Sequence, residues 1–152
     1  MALKIGDKAP SFVAVDANGT SFDSKDIIGK KPVVIYFYPK DNTPGCTMQA
    51  CGFRDSYEDF IDLGAEVIGV SSDTVNSHKK FTNQYKLPFI LLSDSDKKLR
   101  KLFGVPDKLF GLLPGRVTYI IDKNGTVKHI FSSQLNIDKH ISESLEFIKK
   151  ES

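Results

Sequence analysis

The sequence predicts an α/β protein with a central mixed β-sheet flanked by helices. Three observations lead there. Short apolar runs rich in β-branched and aromatic residues recur along the chain, with helix-length segments between them. The run "PVVIYFYP" at 32–39 is almost wholly apolar, as expected of a strand in a sheet covered on both faces. Near the end, "RVTYIID" (116–122) and "TVKHIF" (126–131) flank Lys123-Asn124-Gly125, a hairpin signal.

Taken in order, an early strand is expected near 11–15, followed by the strand at 32–39. The segment 44–63 reads as one helix, with Phe53, Tyr57, Phe60 and Ile61 at helical spacing for the core. "AEVIGVSSD" (65–73) and "LPFILLSD" (87–94) are the next strands, with helices at 74–85 and 95–103, then the hairpin and a last helix at 138–150. This order points to the thioredoxin-like fold. No repeat, linker or low-complexity segment interrupts it, and 152 residues suffice for one domain with its own core, expected over 1–152.

Composition narrows the function. A net charge of +2 is too small to suggest a nucleic-acid partner, and Lys79-Lys80 and Lys97-Lys98 read as solvated helix faces. No apolar stretch approaches the roughly 20 residues that span a bilayer, so no membrane partner is expected. The opening "MALKIGDKAPSF" lacks the basic and apolar regions of a secretion signal. A bacterial cytoplasmic setting is expected, with the chloroplast as the alternative for a mature plastid protein. In such reducing compartments paired cysteines are usually catalytic or metal-binding.

The chain has two cysteines, Cys46 and Cys51, both in "YPKDNTPGCTMQACGFRD" (38–55). "TPGC" reads as a helix opening. Thr43 suits the N-cap, where its hydroxyl can accept a backbone N–H, and Pro44 suits the first helical position. Gly45 lets another group approach the backbone closely. Cys46 then falls in the first turn, at the positive end of the helix dipole, where a thiolate is favoured. The alternative is an inert buried cysteine. Metal binding is weaker, because structural zinc sites want four Cys or His ligands. His78, His129 and His140 are the only histidines; each is remote in sequence and reads as a surface residue. No C-x-x-C is present.

"P-K-D-N-T-P-G-C" resembles the peroxiredoxin pattern P-x-x-x-T-x-x-C, and the second cysteine in "CTMQAC" is similar to the peroxiredoxin Q group, also called bacterioferritin comigratory proteins. The resemblance extends through "GDKAPSF", "FRDSYEDF", "GAEVIGVSSD", "LPFILLSD" and "LFGLLPGRVTYIIDKNG". "LFGLLPGR" (109–116) looks more like chloroplast and cyanobacterial members than enterobacterial ones. Gln49 departs from the Glu of many members, which bears on the tuning of the arginine.

The resemblance implies a thiol-dependent peroxidase acting on hydroperoxides. Cys46 would be the peroxidatic cysteine and Cys51 the resolving one, giving an intrachain disulfide that thioredoxin or a similar dithiol reduces. Thr43 would hydrogen-bond the thiolate and peroxide, Pro39 would shield the thiolate, and Arg116 would stabilise it. Apart from the family match, Arg116 would read as a surface residue and Pro39 as a strand terminator. No flavin, haem or metal cofactor is implied, and an intrachain partner thiol agrees with a monomer. Two rival readings are a protein thiol–disulfide oxidoreductase and a Cu(I)-binding assembly factor using both thiolates and His129.

Overall fold

The computed structural model describes residues 3–105, 107–108, 113–114, 116–133 and 136–151, the side chains at 107, 108, 113, 114 and 151 excepted. The strands are β1 (Val13–Asp16), β2 (Ser21–Asp23), β3 (Val33–Phe37), β4 (Glu66–Ser71), β5 (Ile90–Ser93), β6 (Asp107–Lys108), β7 (Leu113–Pro114), β8 (Val117–Ile121) and β9 (Val127–Ser132). The helices are α1 (Pro44–Asp55), α2 (Tyr57–Asp62), α3 (Val75–Tyr85), α4 (Lys98–Phe103) and α5 (Ile137–Glu151).

Seven strands form one sheet in the order β2-β1-β5-β4-β3-β8-β9, and β6 pairs with β7 separately. β4 runs parallel to both β3 and β5, while the outer pairings are antiparallel. The expected mixed α/β sheet is therefore observed. β3 lies deep within it, and all five of its residues are buried.

The pleat divides that strand between two layers. Val34 and Tyr36 pack with Cys46, Ala50 and Phe53 of α1, Phe60 of α2, Phe81 of α3 and Ile141 of α5. Val33, Ile35 and Phe37 pack on the other face with Phe12 and with Leu99 and Phe103 of α4. Burying each large apolar side chain contributes about 2 kcal/mol, so this strand resists opening. That matters here, because the carboxyl end of β3 delivers the chain to the cysteines.

Some expectations change. The helix expected over 44–63 breaks at Ser56, which ends α1 with φ −99° and ψ 3°. Phe53 and Phe60 are fully buried, but Ile61 is 44% exposed. In the short α2, Phe60 takes the inward position, and its neighbour lies about 100° further round the helix. α4 starts at Lys98 because the Asp94 carboxylate accepts the N–H groups of Leu99 and Arg100, with Lys97 at φ 61° before it. β2, β6 and β7 are too short to show a periodic pattern. The hairpin forms as expected: Asp122 accepts the N–H groups of Asn124 and Thr126, and Gly125 takes φ 83°. Of "LFGLLPGR", residues 109–112 and 115 lie outside the described residues.

Candidate active site

The chain leaves β3 through Tyr38, bends over residues 39–43, and enters α1 beyond the carboxyl ends of the parallel strands, where open α/β sheets meet their ligands. Asn42 sits at φ 60°, a left-handed conformation that asparagine tolerates and that turns the chain into the helix. Thr43 is the N-cap and Pro44 the first helical residue. The first helical bond runs from the Thr47 N–H to the Thr43 carbonyl at 2.8 Å. Cys46 therefore belongs to the first turn, where backbone N–H groups have no partner within the helix.

Cys46 is 1% exposed, and its Sγ accepts from the Arg116 Nη2 at 3.2 Å. Nη1 of the same guanidinium donates to the Gln49 Oε1, one turn along α1. Arg116 is 4% exposed, which overturns the surface reading of this residue. Its backbone carbonyl accepts from the Ser133 N–H, tying it to the chain beyond β9. A β-carbon on Gly45 would lie 3.1 Å from the Arg116 Nη2, so the missing side chain lets the guanidinium approach the helix closely. No carboxylate among the described side chains pairs with Arg116, and Gln49 meets its Nη1 with a neutral amide oxygen.

The other expected residues are placed differently. The Thr43 hydroxyl makes no N-cap bond; it donates to the Lys40 carbonyl at 2.9 Å. In this rotamer its oxygen can still accept a hydrogen bond. Pro39 is half-buried in the bend after β3. Cys51 is partly exposed, and both cysteines are free thiols on one continuous helix.

The surface reading fails for two histidines: His78 and His140 are fully buried, and His129 is partly so. His78 lies on the buried stripe of α3 with Phe81, and His140 on that of α5 with Ile137, Ile141 and Ser144. His140 is held by Thr118 at its Nδ1 (2.6 Å) and by the Ser133 carbonyl at its Nε2 (2.8 Å). Burial pulls it down to about 4, and the positive charge of Arg116 acts in the same direction. It is neutral at pH 7, so its Nδ1 accepts from Thr118 while its Nε2 donates to Ser133.

Tyr36, which sequence reasoning does not single out, packs in the same core layer as Cys46. Its ring stacks on Phe53 of α1 at 4.7 Å, and its hydroxyl is buried without a hydrogen-bond partner. Burial pushes this phenol well above its ordinary range, and negative charge at Cys46 and Asp41 adds to the effect. Side-chain atoms of Asp41, Asp73 and His78 lie within 4.8 Å of one another, a spacing that could hold a cation. Hydrogen-bond donors fill the space instead: the Ser71 hydroxyl and the Asp41 N–H both point at the Asp73 Oδ2.

A family model described as AhpC/TSA matches residues 5–130. The chain belongs to that family, and its relatives lie in the peroxiredoxin Q group. It is 57% identical to a chloroplastic peroxiredoxin Q of Arabidopsis thaliana, over 95% of this chain and 66% of that protein. It thus spans just under two-thirds of the length of that relative. Among solved structures, peroxidoxin BcpB of Mycobacterium tuberculosis is 34% identical, covers 97% of each chain and has a TM-score of 0.90. The bacterioferritin comigratory protein of Xanthomonas campestris is 30% identical, covers 91% of this chain and 90% of that one, and has a TM-score of 0.83.

Proposed function

We propose that this chain is a thiol-dependent peroxidase that reduces hydrogen peroxide and organic hydroperoxides. The observation that carries this reading is the Arg116 guanidinium, 3.2 Å from a cysteine sulfur in the first turn of a helix. A fixed cation and free N–H groups both favour the thiolate, which is the nucleophile. The Cys46 thiolate attacks the terminal oxygen of the hydroperoxide. An S–O bond forms, the O–O bond breaks, and the departing oxygen leaves as water or alcohol after taking a proton. Arg116 stabilises the charge moving onto that oxygen, the Thr43 hydroxyl accepts from the peroxide, and Pro39 limits access of water.

Cys46 is then a sulfenic acid, the first and reversible step of thiol oxidation. The Cys51 thiol attacks its sulfur, water leaves, and an intrachain disulfide forms. An external dithiol of the thioredoxin type returns both thiols. No second copy of the chain is needed, in keeping with a monomer. The reported alkyl peroxide reduction of the Xanthomonas protein supports organic hydroperoxides as substrates. The chloroplastic naming of the plant relatives supports a plastid, and a bacterial cytoplasm would supply the same kind of reductant.

Resolution requires α1 to open. Five residues along a regular helix separate the two Cα atoms by about 9 Å and turn the side chains about 140° apart. A disulfide wants roughly 4.4–6.8 Å and facing Cβ atoms. The bond cannot form while α1 is intact.

The test is thioredoxin-coupled consumption of hydrogen peroxide and an organic hydroperoxide. Cys46→Ser should abolish it, and Cys51→Ser should react once and then recycle slowly. Normal coupled turnover by Cys46→Ser would refute the assignment, and insulin reduction without peroxide consumption would favour the oxidoreductase rival.

A further inference from the structure

Behind the turn that carries Thr43 lies a buried polar cluster with no part in the steps above. Asp41 is 5% exposed, and its carboxylate accepts three bonds. The Tyr38 hydroxyl reaches Oδ1 at 2.6 Å, while the Ser77 hydroxyl (2.8 Å) and the His78 Nδ1 (2.7 Å) reach Oδ2. The other ring nitrogen of His78 faces the Leu92 carbonyl at 2.9 Å. A carbonyl only accepts, so Nε2 carries a proton and a second proton lies between Nδ1 and Asp41. The Asp41 backbone N–H is held in turn by the Asp73 Oδ2 at 2.8 Å. One residue of the turn is thus bonded to groups from the end of β3, the start of α3 and the loop after β4, and through His78 to β5.

An apolar cluster could hold these layers together at lower desolvation cost. What it could not do is fix the direction of the turn, because hydrogen bonds are directional and dispersion contacts are not. We propose that Asp41 and His78 are positioning residues for peroxide reduction. Their buried pair fixes the turn from Tyr38 to Thr43, and so the seat of Cys46 against Arg116. The proposal rests on the peroxidase reading and adds a division of labour. Residues 38–41 form the anchored side of a hinge from which α1 opens and to which it rewinds.

Two substitutions of one histidine separate this from a merely structural role. Asn at position 78 puts its amide nitrogen near the Nδ1 position and keeps the donor to Asp41. Gln puts its nitrogen near the Nε2 position and keeps only the Leu92 bond. Oxidation of Cys46 by peroxide is followed by quenched flow and mass spectrometry in the Cys51→Ser background, and disulfide formation with Cys51 present. His78→Gln should slow Cys46 oxidation about tenfold to a hundredfold, as a small misplacement of reacting groups does. His78→Asn should stay near the unsubstituted rate, and disulfide formation should be preserved in both.

Equal loss in the two variants, or an unchanged rate in His78→Gln, overturns the proposal. If His78→Gln does not fold, Ser77→Ala removes one donor from the same carboxylate oxygen and should slow Cys46 oxidation several-fold. An unchanged rate there also overturns it. A chain with native His78 whose Cys46 is not oxidised by peroxide would instead remove the peroxidase reading itself.

Discussion

Arg116 brings a full positive charge into a site only 4% exposed, with its hydrogen bonds going to a sulfur and a neutral amide. Position 49 offers the guanidinium a neutral amide, and none of the described side chains that pair with it is a carboxylate. Losing a positioned charge of this kind typically costs on the order of 3 kcal/mol, about two powers of ten in rate. Arg116→Ala should therefore slow peroxide attack about a hundredfold and reduce Cys46 alkylation by iodoacetamide at neutral pH. Peroxide kinetics matching those of the parent chain would return Arg116 to a structural role. Much at this scale is legible in "TPGC", because Pro44, Gly45 and Cys46 act through backbone properties tied to the start of a helix. The partner of the Thr43 hydroxyl is not legible, because a threonine can donate as well as accept and only the turn decides which. His78 and His140 mislead when judged by residue type alone; the three-residue spacing of His78 to Phe81 and of Ile137 to His140 carries the signal.

At the scale of elements, the proposed resolution step requires α1 to pack well enough to hold Cys46 and loosely enough to open. Gly52 is a close meeting of α1 with α5: a β-carbon there would lie 3.0 Å from the Ile141 Cδ1 and 3.2 Å from its Cγ1. The glycine permits that approach and lowers the intrinsic stability of α1 by about 1 kcal/mol relative to alanine. Gly52→Ala combined with Ile141→Val adds the helix-favouring methyl while removing the nearest clashing atom. This double variant should slow Cys46–Cys51 disulfide formation about fivefold, the rate equivalent of that helix gain, with peroxide attack little changed. Stopped-flow rates for the two steps would check it, and unaltered disulfide formation would argue against opening of α1. The strands β3, β4 and β5 can be read from the sequence because a two-sided buried sheet needs unbroken apolar runs. The break at Ser56 cannot, since Tyr57 and Phe60 keep helical spacing across it.

At the scale of the whole molecule, His140 links α5 to β8 through Thr118 and to the chain after β9 through Ser133. Folding pulls this histidine from its ordinary 6.5 down to about 4, mainly by burial. The unfolded chain therefore takes up a proton that the folded one refuses. The stabilising effect is complete above about pH 6.5 and is lost progressively toward pH 4, by up to about 3 kcal/mol. Urea unfolding at pH 7 and pH 4.5 should show a smaller acid loss for His140→Gln than for the parent chain. Equal losses would mean that His140 is not the group responsible.

On the proposed mechanism, one helix holds Cys46 reactive while folded and gives it to Cys51 by opening. Hydrogen exchange by mass spectrometry on the reduced and peroxide-treated chain tests this most directly. The treated chain should be lighter by two hydrogens, with faster exchange across 43–55 and a protected sheet through β3, β4 and β8. A disulfide-bonded chain whose exchange across 43–55 matches that of the reduced form would contradict the account.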